Sequence, residues 1–259
     1  MRILFVGDIC GRPGRRIAAV RVPALRRELG VNFVVANAEN SAGGAGITAK
    51  TAQELLACGI DVLTGGNHTW NKREAYELLD REPRVLRPAN FPPGVPGRGS
   101  AVVRRGGVGL AVLNLQGRVF MEPLDDPFRV AQAEVVRLRE ETPYVIVDMH
   151  AEATSEKIAL AWYLDGLVTA VIGTHTHVQT ADERVLPGGT ATITDVGMTG
   201  PYNGIIGMDR EAILQRFLTQ LPARFEVARG AVQFNAVVVE ADERGRATKI
   251  QRIFEVHEA

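Results

Sequence analysis

The chain alternates short apolar segments with longer amphipathic ones, and this alternation limits its fold more than any other feature. Five segments have the length and branched apolar content of buried strands: RILFVG, NFVVAN, DVLTGG, YVIVDMH and VTAVIGTH. Helical patterns lie between most of them: TAKTAQELLAC, KREAYELLDR, FRVAQAEVVRLREE and TSEKIALAWYL. Such alternation is typical of α/β proteins, and it predicts parallel strand pairs in the first half of the chain.

A second pattern predicts antiparallel hairpins in the remaining segments. Two strand-like runs flank a turn in GSAVVRRGGVGLAVLNL, in RVLPGGTATITDVG and in FNAVVVEADERGRATKIQRIFEV. Their turns fall at RRGG, PGG and ERGR. We therefore predict an α/β fold with two packed mixed β-sheets flanked by helices.

Single residues indicate where some helices begin or are interrupted. Thr48 and Thr154 have the composition and position of helix N-caps. Pro23 is expected to break or kink the helix that begins near Pro13, because proline lacks the backbone N–H.

Composition and charge exclude several classes of protein. The 259 residues contain 30 basic and 30 acidic side chains, so there is no global basic field to hold long nucleic acids. Cys10 and Cys58 form neither a metal-spacing pair nor a disulfide framework. The chain has no secretory-type start and no apolar run of membrane-spanning length, which predicts a cytoplasmic protein without a membrane partner. We see no linker and predict one domain over residues 1–259, with 87–100 as a long loop.

Ligand-type side chains follow five of the predicted strands. They are Asp8, Glu39, Asn40, Asn67, His68, His150, His175 and His177. Each has a common structural explanation when taken singly, since Asp and Asn favour turns and an isolated His is often only partly buried. However, the chain has only five histidines, and His257 alone lies outside these strand ends. Because the carboxyl ends of strands line one edge of an α/β sheet, we expect these residues to meet there.

The types of these side chains suit a metal centre. They offer carboxylate and amide oxygens and imidazole nitrogens but no thiolate, a set suited to Mn, Fe, Zn or Mg. They are too many for one ion, but two ions that share a bridging carboxylate could use them. Two dications carry four positive charges, and Asp8 and Glu39 together offset two of them. A bridging hydroxide offsets one more, so that roughly one positive charge remains. Such a centre could hold an anionic phosphodiester and attack it with the hydroxide.

The motifs GD, GNH and GTHTH stand in the order found in the calcineurin-like metallophosphoesterase superfamily, which the chain resembles. The superfamily pattern is Asp-x-His, Gly-Asp, Gly-Asn-His, a later His, and Gly-His-x-His. Here Cys10 replaces the first His, AEN replaces Gly-Asp, and Thr174 separates Gly from His175. These departures resemble the bacterial YmdB-like 2′,3′-cyclic-nucleotide phosphodiesterases, as do NAENSAGG, GGNHTW, HAEATSEK, GTHTHVQTAD and GMTGP. The resemblance implies a four-layer αββα sandwich.

The resemblance also implies a role for each candidate residue. One ion would be held by Asp8, Glu39, Asn40 and His177. The other would be held by Glu39 as the bridge, Asn67, His150 and His175. Asn40 would fill the position left by the missing His, with Cys10 as the competing ligand. His68 would be free of metal and would act as the general acid.

The function implied is a dinuclear metal-dependent phosphodiesterase that opens 2′,3′-cyclic nucleotides to 3′-nucleotides. Iron is the ion that the resemblance implies first, and manganese is the alternative. A broad phosphomonoesterase or nuclease with the same centre, and a regulatory protein that binds a nucleotide or RNA, are the competing functions. RNA ends and a second copy of the chain are further candidate partners. Asp148 could orient His150, but a surface or capping role for Asp148 and Glu152 is equally consistent with the sequence.

Overall fold

A computed structural model describes residues 1–258, which form two β-sheets and six helices. The first sheet has the order β2-β11-β12-β1-β3-β4, with β13 paired to β12. Its strands are β1 (Arg2–Val6), β2 (Asp8–Ile9), β3 (Phe33–Asn37), β4 (Val62–Thr64), β11 (Met198–Pro201), β12 (Val232–Ala241) and β13 (Ala247–His257). The second sheet has the order β5-β6-β7-β8-β10-β9. Its strands are β5 (Ser100–Arg105), β6 (Val108–Gln116), β7 (Val145–His150), β8 (Ala170–Thr174), β9 (Arg184–Val185) and β10 (Ala191–Ile193).

Strand pairing confirms both patterns that the sequence predicts. The strands β1, β3 and β4 are parallel to one another, as are β6, β7, β8 and β10. The three predicted hairpins are also present, as the antiparallel pairs β5–β6, β9–β10 and β12–β13. Both sheets are therefore mixed.

Three apolar layers show how the sheets and helices stack. Leu4 and Val6 face one side of the first sheet and pack with α1 (Gly11–Glu28), α2 (Ala49–Ala57) and α3 (Ala75–Arg81). Ile3 and Phe5 alternate with them and pack between the two sheets. The far side of the second sheet packs on α4 (Pro127–Glu141) and α5 (Thr154–Tyr163). This is the predicted αββα order, and it follows from the two-residue period of a strand.

The helix boundaries confirm one predicted N-cap and correct two other expectations. Thr48 accepts the Thr51 N–H and caps α2. Thr154 is instead the first residue of α5, because the extended residue before it is Ala153. Pro23 does not break α1, which runs through it from Gly11 to Glu28. The sixth helix is α6 (Arg210–Thr219), and no helix within residues 1–258 is both long and apolar enough to cross a membrane.

The layer between the sheets should account for a large part of the stability, and Phe5 tests this. Phe5 is 1% exposed in that layer, so Phe5→Ala removes buried apolar area and leaves a cavity. We expect a loss of about 3–5 kcal/mol in the free energy of unfolding, measured by urea denaturation. Val20→Ala is the control, because Val20 is 65% exposed on α1 and should change stability by about 0.5 kcal/mol or less. Equal losses in the two variants would contradict the layer assignment.

Candidate metal centre

The candidate residues all lie at the carboxyl ends of strands, and the packing of the two sheets brings those ends together. Asp8 follows β1, Glu39 and Asn40 follow β3, and Asn67 and His68 follow β4, all in the first sheet. His150 ends β7, and His175 and His177 follow β8, in the second sheet. The site therefore lies where one edge of the first sheet faces the corresponding edge of the second.

The ring of His150 lies at the centre of this group. Its Nε2 is 2.9 Å from Asn67 Oδ1, 3.1 Å from His175 Nδ1 and 3.2 Å from Glu39 Oε1. Ligand atoms of Glu39, His150 and His175 all lie within 4.8 Å of one another. Residues from three separate strand ends thus face a single point.

The hydrogen bonds on the outer side of the histidines determine where their protons lie. His150 Nδ1 is 2.9 Å from Thr174 Oγ1, and the Thr174 hydroxyl donates to Asp148 Oδ1 at 2.7 Å. Since that hydroxyl proton goes to Asp148, Nδ1 of His150 is the donor, and in the neutral ring Nε2 carries the lone pair. His175 Nε2 lies 3.2 Å from Glu152 Oε2, which leaves its Nδ1 as the acceptor. In this state the lone pairs of His150 Nε2 and His175 Nδ1 converge with the oxygens of Glu39 and Asn67. A cation stabilises such an arrangement.

Three buried oxygens of the candidate residues have no hydrogen-bond donor among the described residues. They are Asp8 Oδ1, Glu39 Oε1 and Asn40 Oδ1. Buried polar atoms are almost always paired, so an unpaired oxygen needs an explanation. A metal ion accounts for all three, and hard oxygen ligands with imidazole suit the ions predicted from the sequence. The residues present therefore fit a metal centre.

His177 lies at the edge of the group and faces Asp8. Its Nδ1 donates to the Ile206 carbonyl at 3.0 Å, and its Nε2 is 4.0 Å from Asp8 Oδ1. Both His175 and His177 have left-handed backbones, with φ of 99° and 67°. Such conformations cost energy in residues other than glycine, and they cluster at functional sites.

His68 is placed differently from its neighbour Asn67. Its backbone N–H donates to Glu39 Oε2 at 2.9 Å, and the residue is half-buried. The Asn71 amide lies 3.0 Å from His68 Nδ1 and donates to it, so the proton of the neutral ring is on Nε2. Neither of these contacts marks His68 as a ligand.

The charges around the site are unbalanced. Burial raises the pKa of Asp8 well above its usual value, and the charges of Asp195, Glu39 and Asp148 add to this, while His150 offsets it only in part. Burial also opposes ionisation of Glu39, but His150 and His68 outweigh it and lower the pKa of Glu39 to about 2. The pKa of His150 rises to about 9, because Glu39 and the other carboxylates outweigh the effect of burial. Burial and the charge of His150 lower the pKa of His175 to about 3. In the absence of a metal ion, protonated His150 thus supplies positive charge to the carboxylates, and a bound metal ion would supply it when His150 is neutral.

Cys10, the competing ligand, does not lie in this group. It is fully buried, and its sulfur and Cβ lie beside Gly207 and Gly200. Burial and the charge of Asp8 raise the pKa of its thiol to about 12. Asn40 Nδ2 donates to Gly44 O at 3.1 Å, and its Oδ1 has no hydrogen-bond donor among the described residues.

Further side chains hold the candidate residues in place, and sequence reasoning missed Thr64 and Thr174 among them. Asp148, which the sequence offered as a partner that orients His150, contacts it through Thr174 and also accepts from Thr64 and Asn37. Glu152, for which the sequence allowed a surface or capping role, contacts His175. Thr64 and Thr174 end strands as the predicted ligands do, so the same strand-end rule could have found them.

The fold and this site define a metallophosphoesterase-type α/β protein, and comparisons with known proteins agree. The family described as "YmdB-like protein" matches residues 4–253. A 2′,3′-cyclic-nucleotide 2′-phosphodiesterase of Bacillus subtilis (strain 168) is 54% identical over 254 residues, which cover 98% of this chain and 96% of that protein. The chain therefore belongs to the YmdB-like family, and the predicted resemblance and the assignment as a phosphodiesterase-type enzyme are confirmed.

Two crystal structures have the same fold along the whole chain. One is a hypothetical protein from Thermus thermophilus, with 45% identity, a TM-score of 0.92, and coverage of 100% of this chain and 99% of that one. The other is a novel phosphatase from Mycoplasma pneumoniae, with 34% identity, a TM-score of 0.93, and coverage of 100% and 94%. The αββα architecture is thus shared with a phosphatase.

Gly66, just before Asn67, should be essential to the arrangement of the site. A Cβ at Gly66 would overlap the ring of His150 and the Glu39 carboxylate. We expect Gly66→Ala to lower Mn²⁺ affinity by about 10-fold or more in calorimetric titration, because both side chains must move. Gly109→Ala is the control, since its added methyl first meets the flexible end of Arg104 at 3.2 Å. Unchanged affinity in the Gly66 variant would contradict the close packing described here.

Proposed function

We propose that the chain is a metal-dependent phosphodiesterase that hydrolyses 2′,3′-cyclic nucleotides to 3′-nucleotides, within a single domain of residues 1–259. The observation that carries this proposal is the convergence of an unpaired Glu39 oxygen, the Asn67 amide oxygen and two imidazole nitrogens on one point. The Bacillus subtilis relative, at 54% identity, supports the cyclic-nucleotide substrate.

Two sets of residues would hold two metal ions, with Glu39 shared between them. The first set consists of Asp8, Glu39, Asn40 and His177. The second set consists of Glu39, Asn67, His150 and His175. When bound, two such ions lower the pKa of water into the neutral range and offset the negative charge of a phosphodiester. Iron is the first candidate and manganese the second, because both accept oxygen and imidazole ligands.

The protein's own residues contribute orientation and a proton. Asp148 and Glu152 hold the rings of His150 and His175, so that their lone pairs face the centre. His68, when it carries protons on both ring nitrogens, would protonate the ribose oxygen from Nε2 as that oxygen leaves, which prevents the release of a strongly basic alkoxide. The Asn71 side chain, 3.0 Å from His68 Nδ1, holds the ring on its other side.

The competing functions differ in what they require of the site. A regulatory protein that only binds a nucleotide or RNA does not need a proton donor at His68. A broad phosphomonoesterase or nuclease would share the centre but not the preference for a cyclic phosphodiester. The cytoplasmic location, RNA ends as substrates and self-association remain predictions. Metal-dependent turnover of 2′,3′-cyclic nucleotides, compared with a panel of other phosphoesters, separates the three functions.

Glu39→Gln tests the shared carboxylate. A neutral amide is a poor bridge between two cations, so we expect fewer than two metal ions per chain by elemental analysis and a loss of turnover. Glu54→Gln is a matched control. Glu54 is an exposed residue on α2 that pairs with Arg15 of α1, and its substitution removes the same charge. Two ions per chain with near-normal turnover in the Glu39 variant would show that Glu39 is not the bridge.

His68→Ala tests the general acid. We expect both metal ions to be retained, with a loss of roughly 10²–10⁴-fold in cyclic-nucleotide turnover, the usual range for a positioned acid. Hydrolysis of bis(p-nitrophenyl) phosphate should fall far less, because nitrophenolate leaves without a proton. His257→Ala, on β13, is the control.

Equal losses on the two substrates, with the metal content intact, would mean that His68 binds phosphate instead. Loss of a metal ion would make it a ligand.

A further inference from the structure

A buried ion pair lies beside the centre, and none of the roles proposed above uses it. Lys157, on the first turn of α5, donates to Asp195 Oδ2 at 2.9 Å. Lys157 is 3% exposed and Asp195 is 0% exposed. Buried charges are costly, and replacing such a pair by apolar residues is often neutral or stabilising. The location of this pair therefore suggests a role other than stability.

Asp195 bonds directly to the loop between the two histidines that end the second sheet. Its Oδ2 accepts from the Thr176 backbone N–H at 3.0 Å and from the Thr176 hydroxyl at 2.6 Å. Thr176 lies between His175 and His177, both of which have the left-handed backbone described above. A strained backbone persists only when its surroundings hold it, and Asp195 supplies two of those bonds.

The same carboxylate also connects to the segment that carries Asp8. Asp195 Oδ1 accepts from Gly197 N–H at 2.8 Å, and the Gly197 carbonyl accepts from Asp8 N–H at 3.0 Å. Met198 is the parallel partner of Asp8 in the short pairing of β2 and β11. Asp195 thus links the His175–His177 loop of the second sheet to the Asp8 segment of the first.

From these contacts we infer that Asp195, neutralised by Lys157, is a positioning residue that holds His175, His177 and Asp8 in register for the metal ions. The inference rests on the proposed metal centre. Asp195 itself has both oxygens occupied by donors, so it is not available as a ligand. Lys157 supplies the opposite charge that pairs with this buried carboxylate.

Asp195→Asn is the main test, because an amide has the same shape but cannot accept at both ends. In either orientation its NH₂ group would face a donor, either Gly197 N–H or the Thr176 and Lys157 donors. We expect Mn²⁺ affinity to fall by roughly 10- to 100-fold in calorimetric titration, as for other residues that orient ligands. In the metal-free protein, amide hydrogen exchange in peptides that span residues 174–177 should be faster than in the wild type.

Two further variants separate positioning from general stability. Thr176→Val removes one hydroxyl bond and keeps the backbone bond, so we expect a weaker effect of roughly 2- to 10-fold in affinity. Asp61→Asn is the matched control. Asp61 is a partly buried carboxylate that pairs with Arg26 at 2.6 Å and lies just before β4, at the end of the strand away from the site. The Asp61→Asn substitution should lower the melting temperature of the protein without changing its affinity for Mn²⁺.

The outcomes distinguish failure of this inference from failure of the proposed function. If wild-type protein binds Mn²⁺ and Asp195→Asn binds it equally well, with unchanged exchange in residues 174–177, the positioning role is overturned alone. If the Asp61 variant weakens Mn²⁺ binding as much as the Asp195 variant, the effect is one of stability, and the inference is also wrong. If the wild-type protein binds no Mn²⁺ or iron, the metal centre is overturned, and the inference fails with it.

Discussion

The apolar layer between the two sheets is the constraint on which the site depends. Ile3 and Phe5 fill that layer from the first sheet, and Ile146 and Ile172 fill it from the second. Helices cover the outer faces, so both faces of each sheet are largely buried, and polar chemistry is confined to the strand ends. The same packing brings the end of β3 opposite the end of β7. Glu39 and His150 therefore meet at 3.2 Å although they belong to different sheets.

Hydrogen bonding separates the buried carboxylates of the site into two kinds. Asp148 and Asp195 have donors at both oxygens, so their bonding capacity is used in holding other residues. Asp8 and Glu39 each have one oxygen with a donor and one without. Burial and sequence position do not distinguish these pairs, since all four residues are almost fully buried. The unpaired oxygen sets Asp8 and Glu39 apart and supports the ligand roles proposed for them.

Periodicity predicted most of the fold, and the strand-end rule predicted the residues that gather at the site. Turn residues also located the three hairpins correctly. What could not be predicted depends on contacts between distant segments. Thr154 resembles a cap, but Lys157, three residues later, pairs with Asp195 across the fold. Pro23 was expected to interrupt α1, yet the helix packs on the first sheet along much of its length, and tertiary packing outweighs the local cost.

The adjacency of Asn67 and His68 follows from how the chain leaves β4. Gly66 has no room for a side chain, because His150 and Glu39 occupy the space that its Cβ would take. Immediately afterwards, Asn67 directs its Oδ1 toward His150 Nε2, and the His68 backbone N–H bonds Glu39 Oε2. Glu39 therefore fixes the backbone of His68 with one oxygen, while its other oxygen has no hydrogen-bond donor. In the function proposed above, a proton donor attached in this way would stay beside the centre without being drawn into it, as general-acid catalysis at a metal-held phosphodiester requires.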